Sequence, residues 1–240
     1  MKIIAIVVAH NEEKTLPQVV INLRNQSLPF VAVLDNPTPR VREIMSGAFV
    51  TYETEPCQAN HVYRWQKILN LIAEAADRQI KADWVFRTDA DEFWTGRGQP
   101  DMRTVIERAE NHGCNVVNFG IRQYAPRVQN YNPLECDPRD SCAVAPPGHV
   151  LYMRPFESKY HRAWKPSNGF DTIYYGGHVL VGKGVKPYES EALFDHIPFV
   201  DVDTARKKLY SNYTKIEIER KWHIQYKGIR IKDIIMKDKT

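Results

Sequence analysis

The chain opens on Ile3-Ile4-Ala5-Ile6-Val7-Val8-Ala9, seven apolar residues with no polar interruption. Such a run, β-branched and short, reads as a strand that no water reaches on either face. It therefore needs covering layers, and the following residues supply the first. Leu16, Val19, Val20 and Leu23 recur at helical spacing, with Thr15 placed to cap that helix and Pro17 tolerated in its first turn. The pattern then repeats. Phe30 to Leu34 is a second strand. Asp35 to Arg40 reads as a loop because Pro37 and Pro39 interrupt it, and Ala48 to Tyr52 is a third strand. A helix is predicted over residues 61–80, striped by Val62, Trp65, Leu69, Ile72, Ala76 and Ile80. Residues 83–88 form a strand. Asp101 caps a helix striped by Met102, Val105, Ile106 and Ala109 and stopped by Gly113. Val116 to Ile121 is a strand again. This alternation predicts an α/β fold with a mostly parallel central sheet flanked by helices.

Ligands of such folds sit beyond the carboxyl ends of the strands. Three polar clusters fall there: His10 to Glu12, Asp35-Asn36, and Asp89-Ala90-Asp91. In the last of these, alternation along an extended segment points Asp89 and Asp91 the same way and turns Glu92 elsewhere. Two carboxylates on one face repel unless a cation lies between them. Oxygen-only ligands suit a hard ion such as magnesium or manganese. A polar turn that merely ends a strand is the other reading of this dyad.

The second half is less regular. Residues 122–148, rich in Pro, Asn, Asp and Cys, read as a long excursion. Strands are expected at Val150 to Pro155 and from Gly176 to Val181. Asp195-His196-Ile197-Pro198 follows, then a helix from about Asp203 that carries Arg206, Lys207 and Lys208. The apolar fraction of 43% is enough for a substantial core. No apolar run approaches the roughly 20 residues of a membrane span. The opening segment lacks a signal-peptide cleavage pattern and is read as a strand. The four cysteines (57, 114, 136 and 142) form no Cys-x-x-Cys pair, so they are read as reduced thiols, with Cys136–Cys142 the one plausible disulfide. The net charge of +4 is spread along the chain except at its basic end, Arg206 to Lys239. That end suits a solvated face or peripheral contact with anionic lipid on the cytoplasmic side. No zinc-finger or RNA-binding aromatic motif appears, so nucleic acid is not an expected partner.

With these residues placed, the chain resembles family 2 glycosyltransferases of the GT-A fold. The matching pieces are Val8-Ala9-His10-Asn11-Glu12-Glu13, Leu34-Asp35-Asn36, Trp84-Val85-Phe86-Arg87-Thr88-Asp89-Ala90-Asp91-Glu92-Phe93, Gly176-Gly177-His178 and Asp195-His196-Ile197-Pro198 with Lys207 or Lys208 behind it. They are similar to a sub-branch with an Asn-Glu-Glu-like start, an Asp-x-Asp-Glu-Phe centre and a late His-x-Pro. The resemblance implies a single catalytic domain over 1–215, with a nucleotide-binding half (1–121), an acceptor-side half (122–215) and a basic extension (216–240).

The activity it implies is transfer of a sugar, with inversion, from a nucleotide-diphosphate sugar to an acceptor hydroxyl. A UDP-sugar is the expected donor, and a glycan or lipid-linked chain in surface polysaccharide synthesis the expected acceptor. The implied cofactor is a divalent manganese or magnesium ion. By resemblance, Asn11, Glu12 and Asp35 face the nucleotide's base and ribose, and His10, Asn36 and, beside the acidic pair, Ala90 are counted among the donor-binding residues. Asp91 is the first metal ligand, and Asp89 shares the ion or holds the ribose. His196 is a late ligand to metal or diphosphate, and His178 is read for a similar role. His10 is read as structural as well, and Glu92 as a structural partner of the strand end. Where many relatives place Ser-Thr-Asp after Asp-Asn, this chain has Pro37-Thr38-Pro39, which removes a carboxylate and leaves the base contacts open.

An inverting transfer also needs a base near the acceptor hydroxyl. Asp171, in the turn Asn168-Gly169-Phe170-Asp171, is the first choice and Glu157 the second. Trp84, Trp94 and Trp164 are aromatic near the loops, with core packing the default. Two other classes compete: a carbohydrate- or nucleotide-binding protein that keeps this fold without turnover, and an Asp-x-Asp phosphohydrolase. The second is disfavoured because the dyad lies mid-chain and is followed by Glu92-Phe93.

Overall fold

The computed structural model describes residues 1–54, 81–94, 100–126, 149–153, 160–166, 172–174, 179–182, 184–197, 225–226 and 229–230. The opening run is strand β1 (Ile3–Ala9), followed by helix α1 (Leu16–Asn25), β2 (Phe30–Asp35), α2 (Pro39–Ile44) and β3 (Thr51–Thr54). Next come β4 (Trp84–Asp89), β5 (Glu92–Phe93), α3 (Met102–Asn111), β6 (Val116–Pro126), β7 (His149–Met153) and β8 (Tyr160–Trp164). The remaining strands are β9 (Thr172–Tyr174), β10 (Val179–Val181), β11 (Pro187–His196), β12 (Gln225–Tyr226) and β13 (Ile229–Arg230).

One sheet of nine strands runs β3-β2-β1-β4-β8-β6-β11-β5, with β7 added beside β6. β1 lies between β2 and β4 and is parallel to both, and β2 is parallel to β3. β8 runs against both β4 and β6, so those two point the same way, and β11 is parallel to β6. The mostly parallel α/β sheet is the predicted architecture.

Both faces of β1 are buried, as its composition requires. Ile3, Ala5, Val7 and Ala9 join one apolar cluster with Leu16, Val19, Val20 and Leu23 of α1 and Met102, Val105, Ile106 and Ala109 of α3. Ile4 and Ile6 join a second with Val31, Val33, Val85, Trp164 and Leu180. Phe86, Trp94, Phe119 and Phe194 pack ring to ring in the first cluster, with centroids 5.2–6.4 Å apart. Trp84, Trp94 and Trp164 are thus core residues, and the indole of Trp84 donates to Glu110 at 3.0 Å.

Asp101 caps α3 as expected, its Oδ1 accepting from the Thr104 N–H at 2.8 Å. Several expectations change. Thr15 stands before α1 without a capping bond; its hydroxyl donates instead to the Glu12 carbonyl at 3.4 Å. The loop expected up to Arg40 is shorter. Pro39 opens α2, where a missing N–H costs nothing, and Thr38 caps it by accepting from the Val41 N–H at 3.2 Å. The third strand begins at Thr51 rather than Ala48. β6 takes in residues 122–126 of the expected excursion, and the strand expected at 150–155 is described over His149–Met153. Most of β11 escaped the sequence reading because Glu189, Ser190 and Glu191 interrupt its apolar pattern, where the β6–β11 register is irregular. The helix predicted over 61–80, with Trp65, lies outside the described residues, as do the later basic helix, Cys136 and Cys142. Among the described residues no helix is long and apolar enough to cross a membrane.

Where β6 and β8 meet, the buried ring of His161 accepts a hydrogen bond from the Leu180 N–H at 2.7 Å. Burial lowers the imidazole's pKa. The unfolded ring takes a proton near ~6.5, while the folded ring takes one only at lower pH. The unfolded state therefore binds more protons, and stability is lost as pH falls below that value. Thermal unfolding should move to lower temperature between pH 7 and pH 5. In His161→Gln, which keeps an acceptor without the titration, that slope should shrink. Parallel wild-type and variant curves would show that another group is responsible.

Candidate active site at the strand ends

β1, β2 and β4 end together. Ala9 is in register with Leu34, and Val8 with Asp89. The three polar clusters expected on one rim are therefore neighbours.

The first loop is tied to itself and to the second. Oε2 of Glu12 accepts from the main-chain N–H groups of His10 at 2.7 Å and Asn11 at 3.1 Å. One of its oxygens is thus spent inside the loop. Nδ1 of His10 hydrogen-bonds the main-chain carbonyl of Asp35. A carbonyl can only accept, so Nδ1 carries the hydrogen. Asn36 follows in the left-handed region, with φ +46°, a conformation that asparagine tolerates better than most. Thr38 donates its hydroxyl to Glu13 while capping α2. The Pro37-Thr38-Pro39 departure is therefore a helix start that anchors the first loop. Asn11 and Asn36 are exposed, and Asp35 and Glu12 are half-buried.

The acidic stretch departs from the pleat argument. β4 ends at Asp89, residues 90–91 form a turn, and β5 begins at Glu92. Asp89 and Asp91 do not lie on one extended segment, so alternation does not relate their directions. Nor is Glu92 turned away from Asp89. Its Oε2 accepts from the Asp89 N–H at 3.1 Å, and its Oε1 pairs with Arg162. It is the structural partner expected, but through a buried ion cluster. Asp89 Oδ1 accepts from Arg87 Nη2 at 2.8 Å, and Asp89 Oδ2 from Arg162 Nη2 at 3.4 Å. Arg87, Glu92 and Arg162 are all buried. Burial lowers the pKa of Arg87 against the pull of Asp89. For Arg162 burial acts the same way, but Glu92 and Asp89 outweigh it and keep the guanidinium charged. Burial pushes the Glu92 carboxyl up, opposed by Arg162.

Asp91 stands outside this cluster. Its Oδ1 lies 3.5 Å from Nε2 of His196. The reason is backbone pairing: β5 runs against the end of β11, matching Glu92 with His196, and the Ile197 N–H donates to the Asp91 carbonyl at 2.8 Å. The sequence singled out Asp91 and His196, and the sheet joins them across about a hundred residues of chain. Asp171, Glu157 and His178 lie outside the described residues. Ala90 is buried at the turn.

The donor chemistry can be tested against a hard divalent ion. Among the described residues no three His, Cys, Asp or Glu side chains gather as a ready metal cage. Asp91 and His196 supply one carboxylate and one imidazole, which fits an ion that keeps water and substrate phosphate in its remaining positions. Asp89, each oxygen already accepting from a guanidinium, suits a supporting role better than direct ligation.

Three contributors were missed. Arg87 had a signal, since a charge inside an apolar strand needs a buried partner. Arg162 had none, because its place depends on how β8 registers with its neighbours. Asn22 also had none. It sits on α1, and its amide donates to the Trp94 carbonyl at 2.6 Å and accepts from the Trp94 N–H at 3.0 Å. That two-pronged bond fixes the exit of the acidic stretch against α1. Asn22→Leu removes both bonds and should lower unfolding stability by about 2 kcal/mol, with faster hydrogen exchange at the Trp94 amide. A loss below about 0.5 kcal/mol by urea unfolding would show that this tie is dispensable.

No curated protein matches the chain. Among solved structures, that of a 4-diphosphocytidyl-2C-methyl-D-erythritol synthase is similar at 9% identity and a TM-score of 0.44, covering 80% of this chain and 90% of that one. A likeness so slight carries no argument about activity. The sequence itself is decisive: the model of glycosyl transferase family 2 matches residues 4–175, well over half of the chain and all of the strand-end site except His196. The chain belongs to glycosyl transferase family 2.

Proposed function

We propose that the protein is a metal-dependent, inverting glycosyltransferase. It moves a sugar from a nucleotide-diphosphate donor, a UDP-sugar first, to a hydroxyl of a glycan or lipid-linked acceptor in surface polysaccharide synthesis. Family membership supports the coarser statement, a nucleotide-sugar glycosyltransferase-like enzyme. The observation that carries the finer reading is the meeting of Asp91 and His196 on the rim that also holds Asp35 and the first loop.

In this reading, Asp91 and His196 hold a manganese or magnesium ion, which supplies positive charge to the departing diphosphate. The rest falls to the chain's own groups. Asp35, Asn11 and Glu12 line the base and ribose, and ionised carboxylates accept from ribose hydroxyls and base N–H groups. Asp89 backs the acidic turn from the arginine cluster. During transfer the acceptor oxygen bonds the anomeric carbon as the bond to diphosphate breaks. The acceptor's proton passes to a carboxylate base, for which Asp171 is proposed first and Glu157 second. A cytoplasmic setting, with the basic end against anionic lipid, completes the proposal.

A screen of nucleotide sugars with manganese tests this without an acceptor, because slow donor hydrolysis suffices. Wild type should release nucleoside diphosphate, and Asp91→Ala should lose at least about a hundredfold in rate with its fold intact, the scale of several kcal/mol of lost charge stabilisation. Near-wild-type hydrolysis by Asp91→Ala would sink the metal assignment. Binding of sugar or nucleotide without turnover would favour a binding protein, and metal-dependent phosphate release from simple monoesters a phosphohydrolase. Asp171→Asn should lower transfer while nucleotide binding persists; unchanged transfer moves the base to Glu157.

A further inference from the structure

β8 meets its two neighbours in different registers. Against β4 it is regular, with Trp164 opposite Val85 and Ala163 opposite Phe86. Against β6, one step from Val117 to Asn118 spans two steps on β8, from Ala163 to His161. Arg162 is the extra residue of a bulge, the device by which a strand re-aims one side chain. The re-aimed guanidinium is fully buried, lies 5.5 Å from the Tyr160 ring centroid, and sits near enough to Arg87 to disfavour that residue's charge.

Stability alone is a poor reason for such an arrangement. An apolar side chain of similar volume usually serves a core as well as a buried ion pair does. Nε and Nη1 of Arg162 find no hydrogen-bond partner among the described residues. Its contacts are concentrated on Nη2, which meets both Asp89 and Glu92. Those two residues are the last of β4 and the first of β5, the two ends of the turn that carries Ala90 and Asp91.

We propose that Arg162 is a positioning residue for the acidic turn: from a bulge in β8 it clamps the carboxylates at both ends of the turn and so fixes where Asp91 stands relative to His196. Without it, Glu92 loses its guanidinium partner and Asp89 keeps only Arg87, so no single group ties the carboxylates at both ends of the turn. Family membership does not assign this role, which rests on the reading of Asp91 and His196 as the ion-holding pair. Arg162 itself touches no reacting atom; it acts through Asp89 and Glu92.

The experiment compares wild type with Arg162→Lys, which keeps the charge but not the reach and planarity of the guanidinium. Three quantities are measured: thermal unfolding, uptake of Mn2+ with UDP followed by the EPR signal of free Mn2+, and kcat for donor hydrolysis. The expected result is a folded variant with Mn2+ uptake weakened about tenfold, the range seen when a residue supporting a metal ligand is lost, and kcat lowered at least as much. Wild-type uptake and kcat in a folded variant overturn the inference. If Arg162→Lys does not fold, the double variant Arg162→Met/Glu92→Gln, which removes both buried charges, decides by the same readings. Loss of folding in both assigns Arg162 to stability alone and also overturns it. Wild type that takes up no Mn2+ with UDP and hydrolyses no donor defeats the functional reading and this inference together. Active wild type with unaltered variants defeats only the inference.

Discussion

Everything in this fold follows from the double burial of β1. A strand covered on both faces has no room for a polar side chain along its length, so polar chemistry is pushed to its ends. Its neighbours β2 and β4 are parallel to it; β2 is as apolar as β1, β4 is broken only by the buried Arg87 and Thr88, and all three lead into polar loops on the same rim. The site is thus a by-product of sheet construction. What varies along the rim is which loop residues are free to face a ligand and which are consumed in holding the loops.

Here much is consumed. Glu12 folds back on its own loop, His10 spans to Asp35, and Thr38 binds Glu13. Beneath the acidic turn two guanidiniums and the Glu92 carboxylate are buried, with the half-buried Asp89 carboxylate balancing the charge. Removing one member of such a set leaves an uncompensated charge and costs about 3–5 kcal/mol. The rim is therefore preorganised: its loops are set by interactions made before any ligand arrives, so less ordering is left for binding to accomplish.

The fold and the neighbourhood of the site were legible from residue pattern. Unbroken apolar runs marked β1 and β2, the apolar start Trp84-Val85-Phe86 marked β4, helical stripes marked α1 and α3, and Asp101 marked the start of α3. Legibility failed where local chemistry has two solutions. Proline before a helix and proline in a loop look alike, so the start of α2, Pro39-Arg40, was read as loop. An acidic run after a strand was treated as continued strand, although a turn at 90–91 redirects it and gives Glu92 a buried partner. Bulges are hidden too, because a register shift is a relation between strands and leaves no mark on either one. Arg162 was lost for that reason, and most of β11 because Glu189, Ser190 and Glu191 break its apolar pattern.

The pairing of β5 with the end of β11 also bears on how the molecule acquires its site. Asp91 and His196 are brought together where a two-residue strand docks on the end of β11, beside the Ile197–Asp91 main-chain bond. Contacts so distant in sequence carry a loop-closure cost and form late. During synthesis the rim of β1, β2 and β4 can assemble first. The Asp91–His196 pair must wait until residue 196 has emerged, so an incomplete chain has a rim but not the assembled pair.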